Sequence, residues 1–149
     1  MIETDVLFSH LKDEDWLKED AELILANVAS GGLGEVRVSR EAIHELYYLL
    51  ARIGHPPAEI LSKVGALTRI ENLSWVATTT DDDLLALSLI TTYRLSSVFD
   101  SYHAAACLLQ DPQHTMVSTD KTYEKIPRIK RVDPRDLAEQ IREKSSKRG

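Results

Sequence analysis

One cysteine, Cys107, is all that this chain of 149 residues holds, so no disulfide can close within it. It lies in Ala104-Ala105-Ala106-Cys107-Leu108-Leu109, surroundings that suit a small buried hydrophobe and argue against a thiol enzyme. No apolar run approaches the roughly 20 residues that a membrane span requires. The N-terminus lacks a basic region followed by an apolar run, so no secretory leader is expected and the protein is read as cytoplasmic. A glycine-rich phosphate loop is missing too, because Gly31-Gly32-Leu33-Gly34 does not follow a strand. His10, His44, His55, His103 and His114 show no metal-ligand spacing, and His103 is read as a helix-border residue. Cations are scarce over most of the chain. Residues 1–120 carry 8 Lys and Arg against 19 Asp and Glu, a net of −11. Such a body is poorly suited to broad duplex binding, which needs many cationic contacts to phosphate. Residues 121–149 reverse the balance, with 10 Lys and Arg against 5 acids, a net of +5. That stretch could hold a nucleic-acid backbone, although most of its charges suit the basic end of a solvated terminal helix.

What is present is an ordinary globular composition, 43% hydrophobic and 28% charged, in a length that favours one domain over 1–149. Met1 to Phe8 reads as a short, apolar first strand. A helix is expected from Asp13-Glu14-Asp15, with Trp16, Leu17, Ala21, Ile24, Leu25 and Val28 at helical spacing. The glycine cluster at 31–34 ends it, and Glu35-Val36-Arg37-Val38-Ser39 alternates as a second strand. Ser39 can cap a helix with Ala42, Ile43, Leu46, Leu49, Leu50 and Ile53 as its buried stripe. Pro57 suits the first turn of the next helix. Residues 73–78 form a third strand, followed by a helix opening at Thr80-Asp81-Asp82-Asp83 and another over about 99–109. His114 to Ser118 is a fourth strand, a short helix follows Asp120, and Ile129 to Val132 is a fifth strand. A basic C-terminal helix closes the chain at about 134–146. Strands separated by helices indicate a parallel sheet with helices on both faces, whose working site lies beyond the carboxyl ends of the strands.

Several carboxylates fall at that edge. In a strand Glu3 and Asp5 point the same way, and an acidic pair is costly to bury without compensation. Asp100 opens a helix, where stabilising the dipole is its ordinary use. Glu45 sits at the border of an apolar stripe, near Glu41 and Arg52. Asp120 follows a strand, where an Asx turn is routine. Singly, each has an unremarkable structural role. Jointly they can converge, and crowded carboxylates stay ionised only with a cation among them. Oxygen ligands suit magnesium or manganese, which polarise phosphoryl oxygens and activate water. Asp81-Asp82-Asp83 is read instead as a solvated helix start, and Glu3-Thr4-Asp5-Val6 is no Asp-x-Asp phosphatase motif, since Glu cannot simply replace the nucleophilic Asp.

Four segments, taken in order, carry a resemblance: Ile2-Glu3-Thr4-Asp5-Val6-Leu7, Ser39 to Tyr48, Phe99-Asp100-Ser101-Tyr102-His103-Ala104-Ala105, and Met116-Val117-Ser118-Thr119-Asp120. The chain resembles the PIN-domain family, close to its VapC-like prokaryotic and archaeal ribonuclease group. The resemblance implies an α/β three-layer sandwich with a central five-stranded parallel sheet, order 3-2-1-4-5. It further implies a magnesium- or manganese-dependent endoribonuclease, in this group the toxin of a toxin–antitoxin pair. Asp5, Glu45, Asp100 and Asp120 are then the catalytic and metal-binding acids, with Glu3 and Ser118 in support. Glu3 stands where the family usually has its leading Asp, so the first ligand is either Glu3 or Asp5. An RNA substrate, a small antitoxin partner and a homodimer through helical surfaces are implied with it. The substitution at Glu3 also admits a catalytically impaired module that binds RNA or a protein partner.

Overall fold

Short apolar runs divided by capping residues set the elements. The computed structural model describes residues 1–148. In chain order these form α1 (Thr4–Leu11), α2 (Lys18–Ala29), β1 (Val36–Ser39), α3 (Glu41–Arg52), α4 (Pro57–Leu67), β2 (Leu73–Val76), α5 (Thr80–Tyr93), α6 (Val98–Gln110), β3 (Thr115–Val117), a 3₁₀ turn (Lys121–Lys125), β4 (Lys130–Val132) and α7 (Pro134–Arg148).

The strand expected over Met1–Phe8 is not formed. Only Ile2 makes a parallel bridge, to Val117, and the chain turns into α1 at Thr4. The cause is local: the Glu3 side chain accepts a hydrogen bond from the Asp5 N–H at 3.3 Å and caps the helix. Val6, Leu7 and Leu11 are then buried on one helical side. A run that short has no periodicity strong enough to distinguish strand from helix.

The five-stranded sheet expected here is likewise replaced by two parallel pairs, β1 with β2 and β3 with β4. Residues 1–3 tie the pairs together. The Ile2 N–H donates to the Arg37 carbonyl at 2.9 Å, the Glu3 N–H to Val117 at 3.1 Å, and the Val117 N–H to Met1 at 2.9 Å. Hydrogen bonding therefore runs laterally from β2 through β1, residues 1–3 and β3 to β4, with the middle member too short to form a ladder.

Helices cover both faces, making this an α/β fold. On one side α1, α2, α3, α4 and α7 bury Leu7, Ile24, Leu46, Leu50, Ile60 and Ile141 against Ile2, Val38 and Val117. On the other, α5, α6 and the 3₁₀ turn bury Ala86, Leu89, Ala104, Cys107 and Tyr123 against Met1 and Met116. Neighbours such as Met116 and Val117 face opposite layers, as strand alternation requires. Each fully buried Leu or Ile contributes about 1.5–3 kcal/mol.

Two smaller expectations shift. Asp13–Asp15 precede α2 instead of opening it: Asp15 accepts from the Leu17 N–H at 2.9 Å and pairs with Lys12. Asp82 is buried, not solvated, because it forms a reciprocal capping box with Thr79 at the start of α5. Among the described residues no helix is long and apolar enough to cross a membrane.

Candidate metal centre

Each acid reaches the carboxyl ends of the strands by its own local rule. Glu3 immediately follows the Ile2 bridge and is only 4% exposed. Glu45 lies one turn into α3, which leaves the end of β1. Asp100 occupies the first turn of α6, whose start is fixed by Ser97 accepting from the Phe99 N–H at 3.1 Å. Asp120 follows β3 and caps the 3₁₀ turn, its Oδ1 accepting from the Thr122 N–H at 2.8 Å.

Ser118 and His103 lock these carboxylates in place. The fully buried Ser118 hydroxyl faces two acceptors, Glu3 Oε2 at 3.2 Å and Asp5 Oδ2 at 3.3 Å, and itself accepts from the Asp120 N–H at 2.9 Å. His103, 2% exposed, places Nε2 at 2.8 Å from Glu45 Oε2, 3.0 Å from Thr4 Oγ1 and 3.7 Å from Glu3 Oε1. His103 thus holds Glu45 inward, and the pairing with Arg52 suggested by sequence spacing does not occur.

Asp5 is used differently. Its Oδ2 accepts from the Thr119 N–H at 2.7 Å and the Thr119 hydroxyl at 2.6 Å, while Oδ1 accepts from the Val6 N–H at 2.8 Å. These charge-assisted bonds staple α1 to the end of β3.

The electrostatics record the crowding. Burial drives the Glu3 carboxyl well above its ordinary range, and repulsion from Asp5, Glu45 and Asp100 adds to it. Burial likewise raises Asp100 to about 6, with Asp120, Glu45 and Asp5 pushing the same way and His103 opposing. Every acid singled out from the sequence therefore acts on another of the set. One ligand atom each from Glu3, Glu45 and His103 lies within 4.8 Å of the others. Carboxylate oxygens held together at an energetic cost, with one imidazole at their back, fit a hard divalent cation.

Sequence reasoning set His103 aside as a helix-border residue, whereas it is buried at 2% exposure, and passed over Thr4 and Thr119. The signal for His103 was its place three residues after Asp100, which returns it to the same side of α6. Nothing in spacing marked Thr119 as the partner of Asp5, 114 residues away. A separate cavity of about 310 Å³, bordered by Ile2, Val36, Arg37, Thr115, Val132 and Leu137, holds none of the acids of this cluster.

A family model described as PIN domain matches residues 1–138. No curated protein matches the chain.

Proposed function

The chain belongs to the PIN domain family, a nuclease-like fold, and from that premise we propose that it is a metal-dependent endoribonuclease of the VapC-like group. The observation that carries this reading is the grouping of Glu3 and Glu45 with His103, one ligand atom of each within 4.8 Å of the others; Asp100 and Asp120 lie outside that group, but the charge of Glu45 and of Asp120 helps to raise the Asp100 carboxyl. The four acids would hold magnesium or manganese. Bound there, the cation would supply Lewis acidity to a phosphoryl oxygen and ease the deprotonation of attacking water. The chain's own residues do the rest. His103 fixes the orientation of Glu45, Ser118 that of Glu3, and the Asp5–Thr119 clamp holds the loop that presents Asp120.

RNA as substrate is supported by the exposed cations Lys121 and Lys125 in the turn that Asp120 caps, which can meet a phosphate backbone. A toxin role, with a small antitoxin partner and a homodimer, draws support from an apolar groove of about 180 Å³ between α3 and α4, lined by Ile43, Tyr47, Ile60 and Leu61.

The test is cleavage of single-stranded RNA and DNA, side by side, by wild type, Asp100→Asn and Asp120→Asn in manganese. Wild type is expected to cut RNA, and each variant to lose about 100-fold or more while keeping its fold. Wild-type rates in both variants would remove these acids from the mechanism. A second reading, a module that binds RNA or protein without catalysis, is favoured by Glu3 standing in the leading position. It would show no cleavage and no uptake of manganese by calorimetry.

A further inference from the structure

Tyr123 is fully buried and belongs to the apolar cluster of Met1, Ala104, Met116 and Ile126. Its ring needs no further explanation. Its hydroxyl does, because it is buried without a hydrogen-bond partner among the described residues. A buried tyrosine hydroxyl normally finds one. The acids of the cluster are its charged neighbours. Beyond burial, the charges that raise the Tyr123 hydroxyl well above its ordinary range are Glu3 first, then Asp100, Glu45 and Asp5, all members of the acid cluster. His10 Nδ1, buried and unpartnered in the same way, lies instead among Lys18, Glu22 and Lys63. The backbone also leads to the cluster: Asp120 caps the 3₁₀ turn that carries Tyr123.

We propose that Tyr123 is a positioning residue, whose hydroxyl donates through one ordered water to the Glu3 carboxyl group and so sets the oxygen that Glu3 presents to a divalent cation. No direct hydrogen bond joins Tyr123 to Glu3, and a bridging water serves nearly as well as a direct bond. The inference rests on the cation-binding reading above and adds a residue that the sequence offered only as part of a short helix after Asp120.

Tyr123→Phe keeps the ring and removes only the donor. A tyrosine present for packing alone predicts an apo protein at least as stable, with unchanged manganese affinity. Positioning predicts the same stability but manganese binding about 10-fold to 100-fold weaker, the usual effect of losing a group that orients a ligand. The measurements are calorimetric titration with manganese chloride and thermal unfolding of the metal-free protein, on wild type and variant together. Equal affinity would overturn the proposal, as would a Phe variant that melts well below wild type. If wild type itself takes up no manganese, the cation reading falls and this inference falls with it, an outcome visible before the variant is compared.

Discussion

Glu3 and Asp5 stand two residues apart and do opposite work. Asp5 spends both oxygens on hydrogen bonds, three of them from Thr119 and Val6 at 2.6 to 2.8 Å. Glu3 holds a raised carboxyl among like charges. The sequence expectation gave Asp5 the ligand's place and Glu3 the supporting one; the geometry supports the reverse assignment. Asp5→Ala should cost about 2–4 kcal/mol of stability, since charge-assisted bonds are lost and the Thr119 N–H is left without its acceptor. Chemical denaturation would show it. Glu3→Gln should be neutral or stabilising by the same measure, because it replaces a carboxyl whose ionisation burial and its acidic neighbours oppose, yet it should weaken manganese binding. Destabilisation by Glu3→Gln together with unchanged metal affinity would restore the original assignment.

At the level of elements, α3, α4, α5 and α6 were legible because stripe or helix-start residues mark them: Ala42, Leu46 and Leu50 in α3, Pro57 at the start of α4, Thr80-Asp81-Asp82-Asp83 opening α5. The strands at 36–39, 73–76, 115–117 and 130–132 were legible from breakers on either side. The first segment was not. Its apolar residues suit either period, and what decides is a capping bond from one acid to the next residue but one, a choice made by a single side chain. The acids in the candidate site could be picked out because strand ends and helix starts are predictable places. Their partners could not, since His103–Thr4 and Asp5–Thr119 join residues 99 and 114 positions apart that only the assembled fold brings together.

Over the whole molecule, charge sets both stability and function. The folded state holds protons on Glu3 and Asp100 that the unfolded chain releases at lower pH. Carboxyls raised on folding add stability that is complete below their unfolded pKa and is lost as pH rises through the folded value, about 6 for Asp100. Metal-free protein should therefore melt at progressively lower temperature between pH 5 and 7.5 as far as these groups contribute. Manganese should restore the loss at pH 7.5 and do little at pH 5, where protons compete for the same oxygens. Calorimetric melts at the two pH values, with and without manganese, would test this; a metal-free midpoint that rises over this interval would contradict it.

The central claim is that acids from distant parts of the chain form one cation site. Anomalous diffraction from a manganese-soaked crystal tests it most directly. A single strong peak within ligation distance of Glu3, Glu45 and Asp100 is the result the account predicts; manganese seated elsewhere, with those carboxylates unliganded, would contradict it.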